Sequence, residues 1–235
     1  MKLVINEKLI KRNKTRGNIA TFGGLAVLAA GLFFACRGNI NEIIYSYIAL
    51  FLGFFLTQVG IYYSSRFSRS PRFDEVLTTA FEKLRHDYTF YVYTTSAPMV
   101  LLGPCSFWIV RPLTATGKIF YQDGKWKQKG GNGFVRFMGQ ERIGNPDKET
   151  KDLEDGLHTW LAEKGLPLDQ QPPIKQVLVA LLKTTELGDV STAPIPVVNL
   201  EDVKRYIRHE DRENCLTPIS EEELTRINAL LEFKD

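Results

Sequence analysis

The sequence predicts a two-helix transmembrane hairpin followed by an α/β (α+β) three-layer domain with a mixed central sheet. Three observations carry that expectation. First, Asn18 to Cys36 and Ile43 to Tyr63 contain no charged side chain. At about 19 to 21 residues each, with a rise of ~1.5 Å per residue, they give roughly 30 Å of helix, enough to cross a bilayer core. Second, neither stretch has a polar stripe to show to water, as a soluble helix pair would need. Third, beyond Phe73 aromatic and β-branched runs alternate with segments of helical period, the pattern of strands covered by helices.

Residues 1–17 read as a basic arm, with Lys2, Lys8, Lys11, Arg12, Lys14 and Arg16 ahead of the first span, 18–36. Arg66, Arg69 and Arg72 follow the second span, 43–63, and the connecting turn contributes only Arg37. By the positive-inside rule both ends face the cytoplasm, so the expected location is the cell membrane, with two spans and with the N-terminus and C-terminal domain cytoplasmic. A secretory signal peptide fits less well, because the run is long and a second one follows at once. Contact with anionic lipid explains the basic arm more simply than a nucleic-acid patch does. Tyr45, Tyr47, Tyr62 and Tyr63 suit interfacial belts. Small residues four apart, Ala20 with Gly24 and Ala26 with Ala30, together with Gly53 and Gly60, predict that the spans pack on each other.

A short basic linker, 64–72, then leads into a cytoplasmic domain, 73–235. Phe73 to His86 has a helical period, and Asp87 to Thr95 reads as a strand. Met99 to Leu102 and Ser106 to Arg111 are two apolar strands joined at Gly103-Pro104. Lys118 to Gln122 and Lys125 to Gln128 flank Asp123-Gly124, a type I′ hairpin signal that sets Tyr121 opposite Trp126. The glycine-rich stretch from Lys129 to Gly133 lacks the context of a phosphate loop and reads as a plain loop. Asn145-Pro146 opens a helix that stops at Gly165. Ile174 to Leu182 and Ile195 to Val198 read as strands, and Leu200 to His209 as a helix. Ser220 caps a last helix with Glu223 three residues on. Three cysteines, Cys36, Cys105 and Cys215, with no CxxC pair, point to neither a disulfide framework nor a zinc site, and fit a reducing compartment.

From Phe73 onward the order is helix, strand, a hairpin with Gly-Pro at its turn, a further hairpin ending in tryptophan, then Asn-Pro opening a long helix. This resembles the nuclease-related domain (NERD) family, which is assigned to the restriction-endonuclease-like fold. Val100-Leu-Leu-Gly-Pro104, the Gly117 to Trp126 hairpin, and Asn145-Pro146 followed by Glu149 carry the resemblance. It implies metal-dependent cleavage of nucleic acid, with a carboxylate on each central strand for Mg²⁺ and a lysine beside the second. Glu75 matches the acid of the family's first helix. Pro98, Val110 and Pro112 stand at the other positions, where the family keeps acid, acid and base, and none of them can bind a hard cation or supply an ammonium. The resemblance is therefore to a catalytically degenerate form. Asp74, Asp87 and Asp123 read as solvated helix-start, strand-end and turn residues.

Three functions follow as expectations. The first is a membrane-anchored, non-catalytic binding or scaffolding module, a pseudoenzyme without cofactor, held in lipid by its hairpin and engaging a protein partner. The second is an active nuclease with relocated ligands and Mg²⁺. The third is an accessory subunit of a membrane complex. Nucleic-acid binding without cleavage is a sub-case of the first. Its expected surface is the hairpin, with Lys118, Lys125, Lys127, Lys129 and Arg136 around Tyr121 and Trp126, where cations would meet phosphates and rings would stack on bases.

Overall fold

The computed structural model describes residues 1–37, 40–130 and 143–232. They fall into two compact units, one of Glu7–Arg72, the other of Met1–Asn6 with Phe73–Asp235.

The first unit is a pair of helices, α1 (Glu7–Cys36) and α2 (Ile40–Phe67), each long and apolar enough to cross a membrane. Most of their apolar side chains, Ile19, Phe22, Phe51 and Leu52 among them, are exposed, as helices that meet lipid require and soluble core helices do not allow. Glycine sets the contact between them. A Cβ on Gly24 would lie 2.8 Å from the Thr57 hydroxyl, one on Gly31 2.8 Å from the Ala49 Cβ, and one on Gly53 2.6 Å from Leu28. Gly17, Ala20, Gly24 and Gly31 are buried, so the expected Ala20 and Gly24 pair lies in the contact. Ala26 and Ala30 are exposed and lie outside it, which corrects that part of the expectation. Thr21 and Thr57 donate to the carbonyls of Gly17 and Gly53, so their hydroxyls are satisfied within their own helices.

The second unit is a mixed six-stranded sheet in the order β1-β2-β3-β4-β7-β9 with helices on both faces. Its strands are β1 (Lys2–Ile5), β2 (Thr89–Val92), β3 (Met99–Leu102), β4 (Phe107–Leu113), β7 (Ile174–Ala180) and β9 (Val197–Asn199). Strands β2, β3 and β4 form an antiparallel meander, and β4, β7 and β9 run parallel. One face carries Leu77 and Phe81 of α3 (Phe73–Phe81) and Val203 and Ile207 of α5 (Val203–Glu213). The other carries Leu157 and Leu161 of α4 (Pro146–Glu163) and Leu224 and Ile227 of α6 (Glu221–Leu230). Strands buried on both faces read as continuous apolar runs, which is why Met99 to Leu102 has no alternation. Each such side chain contributes roughly 1.5–3 kcal/mol by leaving water. A smaller sheet, β6-β5-β8, adds β5 (Gly117–Gln122), β6 (Lys125–Lys129) and β8 (Thr185–Leu187).

Local chemistry fixes the ends of these elements. Asp123 and Gly124 have φ of 55° and 70°, as a type I′ turn demands, and Tyr121 does pair with Trp126. The Asn145 side chain accepts from the Lys148 amide at the start of α4, Gly165 has φ of 92° just beyond its end, and Ser220 accepts from the Glu223 amide.

Several expectations change. Residues 1–17 are not a free arm: Lys2–Ile5 pairs in parallel with Thr89–Val92, and α1 already begins at Glu7. Helix α3 ends at Phe81 and β2 at Val92, the latter followed by Tyr93 with φ of 55°, a conformation that interrupts a strand. Asp74 is buried rather than solvated. Cys105 and Cys215 form a disulfide across a sequence separation of 110, against the expected absence of one, because the fold brings their Cα atoms to 5.7 Å. Spacing along the chain could not show that approach. Cys36 is the free cysteine and is exposed.

Candidate functional site

The four positions matched to nuclease chemistry are distributed as follows. Glu75 is exposed in the first turn of α3. Pro98 is half-buried ahead of β3, with its carbonyl accepting from the Tyr93 amide at 2.8 Å. Val110 is 2% exposed and sits in the core with Leu101, Trp108, Val177 and Val179. Pro112 is half-buried opposite Val179 of β7. Alternation along β4 puts Val110 and Pro112 on one face and Arg111 on the other. Arg111 accordingly reaches α4, where its guanidinium pairs with Glu149 and donates to the Pro146 carbonyl. Among the described residues no three of His, Cys, Asp and Glu come together in a group able to hold a metal ion.

The hairpin separates what the sequence suggested it would combine. Paired residues in an antiparallel ladder point to the same side of the sheet. Lys118 pairs with Lys129, Phe120 with Lys127 and Gln122 with Lys125, so all four lysines share one face. Tyr121 and Trp126 lie on the opposite face, their rings edge-on with centroids 5.2 Å apart. That face is turned inward. Ile119 is fully buried there, Trp126 packs against its cluster, and the indole N–H donates to Asp147 at 2.7 Å. A surface mixing those lysines with these two rings is therefore not formed. Lys127 is also tied to Asp123 at 2.8 Å. Arg136 lies outside the described residues.

A polar centre that the sequence reading missed lies at the Gly103-Pro104 turn. Asp211, in the last turn of α5, is 6% exposed. Its carboxylate accepts the Tyr88 hydroxyl at 2.8 Å, the Ser106 hydroxyl at 3.0 Å and the Trp108 indole N–H at 3.0 Å. Burial pushes this carboxyl above its ordinary pKa, and the three hydrogen bonds and Lys175 act the other way. Burial, joined by the Asp211 charge, likewise raises the Tyr88 hydroxyl, so it stays a donor. Lys175 lies 5.2 Å from the centroid of the Trp108 ring and 3.6 Å from Glu210. A Cβ on Gly103 would stand 2.7 Å from Asp211 and 2.8 Å from the Tyr88 ring, so the turn must carry glycine here. The disulfide closes beside this centre, where the Cys105 sulfur lies 3.4 Å from the Asp211 carbonyl.

One signal could have found it. Val203, Ile207 and Asp211 recur every four residues on the buried face of α5, and an acid in an apolar stripe requires partners.

No protein-family model, no curated protein and no solved structure matches this chain.

Proposed function

We propose that the protein is a membrane-anchored, non-catalytic domain of nuclease-related type that acts as a binding or scaffolding module, with no metal cofactor. The carrying observation is Val110: at the position where a nuclease of this kind would hold its second metal-binding acid, the strand presents a buried aliphatic side chain packed in the core. The succession α3, β2, β3, Gly103-Pro104, β4, the β5-β6 hairpin and α4 opened by Asn145-Pro146 supports the resemblance and the restriction-endonuclease-like reading. The hairpin of α1 and α2 is the lipid anchor, and the domain presents itself to a protein partner. Its basic flanks support a cytoplasmic placement of both ends. The Cys105–Cys215 bond weighs toward an oxidising side. We favour the flanks, because the positive-inside rule bears on orientation directly, and the bond stands as the observation on the other side.

Incubating purified full-length protein with single- and double-stranded DNA and RNA in Mg²⁺ or Mn²⁺ tests the non-catalytic reading. No cleavage above a Glu75→Ala control is expected. Metal-dependent cutting that this substitution abolished would replace the reading with an active nuclease whose ligands have moved. Alkylating a cysteine introduced at exposed Lys129 in a Cys36→Ser background, in intact cells, tests the orientation: protection is expected, and labelling from outside would reverse it.

A further inference from the structure

A pocket of about 590 Å³ opens between the outer face of α5 and the segment leading into β2. Its size lies within the roughly 300–1,000 Å³ of small-molecule sites. Arg205, Arg208, His209 and Arg212 recur at helical spacing along one side, with Lys204 beside them and Arg85 across the opening. The lining holds five full cations against two carboxylates, Asp87 and Asp211. Asp202 and Glu213, just outside the lining, pair with Arg205 and Arg212, so the cations without an ion-pair partner among the described residues are Lys204 and Arg208.

Carboxylates offset part of this field and leave part of it. Asp211 is buried and engaged by three donors, and Asp87 pairs with Arg85 at 3.4 Å. Arg205 pairs with Asp202 and Arg212 with Glu213 on their own helix, and both remain largely exposed. Lys204 and Arg208 make no ion pair among the described residues. Like charges four apart, such as Lys204 with Arg208 and Arg208 with Arg212, disfavour a helix by a few tenths of a kcal/mol per pair, while the Arg205–Asp202 pair favours it by a similar amount.

We propose that this pocket binds a compact, multiply charged phosphate ligand. Guanidinium forks match phosphate oxygens two at a time, and four of the five cations are arginines. The concave shape suits a small anion rather than a flat or extended polymer. One ligand chemistry, clustered phosphate groups, could reach it from a soluble phosphate ester or from a phosphorylated lipid headgroup. The inference deepens the reading of the domain as a binding module by giving that module a ligand class. It also stands apart from the question of cleavage: nuclease activity would overturn the non-catalytic reading and leave phosphate binding untouched.

The test uses the full chain in phosphatidylcholine nanodiscs, titrated calorimetrically with inorganic pyrophosphate. Saturable binding is expected, weakened about 100-fold by Lys204→Glu with Arg208→Glu, as loss of two charge-assisted contacts implies. The same charge change placed on the hairpin, Lys118→Glu with Lys129→Glu, should leave affinity within about twofold. Equal loss in both variants, or no saturable binding by the parent protein, overturns the proposal. Circular dichroism verifies folding, and Arg208→Gln alone should give an intermediate loss if the double variant is unstable. Discs containing phosphatidylinositol 4-phosphate separate the sources. Competition with pyrophosphate there identifies a headgroup and its absence a soluble ester, and either supports the pocket. A single-stranded oligonucleotide that displaced pyrophosphate at far lower concentration, in a manner sensitive to the pocket variants, would overturn the proposal in favour of nucleic acid.

Discussion

Asp211 accepts a 2.8 Å hydrogen bond from the Tyr88 hydroxyl, so the last turn of α5 is fastened to the entrance of β2 from 123 residues away. Ser106 and Trp108 share the same carboxylate, which ties β4 into the joint. Asp211→Ala would leave three buried donors without an acceptor, at about 1–3 kcal/mol each, for a loss of about 3 kcal/mol or more. A urea midpoint moving by less than about a third of this would show that water or a shifted side chain replaces the carboxylate.

The same residue makes stability depend on pH. Its folded pKa is raised from the ordinary 3.8, so the native state holds this proton more tightly than the unfolded state does. Stability attributable to Asp211 is therefore greatest below 3.8 and is lost as pH rises through the folded value. Asp211→Asn should flatten that part of the profile. Parallel profiles for the two proteins would assign the slope to other carboxyls.

Breaking the Cys105–Cys215 bond frees a loop spanning 110 positions. Removing a native disulfide typically costs about 2–5 kcal/mol, and a loop of this length puts the expected loss near the upper end, on reduction or in Cys105→Ser with Cys215→Ser. Thiol counting provides the direct check: of three cysteines, one should react in the native oxidised protein and three after reduction and unfolding. Three reactive thiols without reductant would show a dithiol instead.

Placing an acid at the β4 position that the proposed nuclease-related reading compares with a metal ligand should break the domain rather than create a metal site. Val110→Asp would place an unpaired charge among Leu101, Val177 and Val179, at a cost of about 3–5 kcal/mol. A folded variant that gained stability with Mg²⁺ would contradict this account.

The helix pair offers a contrast within one element. At Gly24 any side chain meets Thr57, whereas at Gly23 nothing lies within 4 Å. Gly24→Leu should weaken pairing of α1 with α2 by about 1–3 kcal/mol and Gly23→Leu should leave it unchanged, as followed by thermal unfolding in detergent. Equal effects would mean that the glycines act through helix propensity alone.

Local patterns were readable, and approaches between distant segments were not. Asp123-Gly124, Asn145-Pro146 and Ser220 with Glu223 each determine their own turn or cap, so the hairpin and both helix starts stand where the sequence places them. The hairpin's own alternation separates Ile119, Tyr121 and Trp126 from the four lysines, but that the ring face is held inward against Asp147 depends on a helix the hairpin does not contain. Asp211, Cys105 and Cys215 acquire meaning only when the turn after β3 meets the end of α5. Strand β1 is four residues long, too short for periodicity to declare it, and its partner lies far along the chain.

That short strand also bears on biosynthesis. Lys2 aligns with Thr89, so the ribosome releases the first edge of the sheet 87 residues before the strand that will receive it. At about 5–20 residues per second the interval is roughly 4 to 17 s, and both membrane-length helices are made within it. The edge must therefore wait, unpaired, through the translation of both helices. Its sequence, Lys-Leu-Val-Ile, is apolar after the first residue, so chaperone capture of the nascent chain should be strongest in that interval.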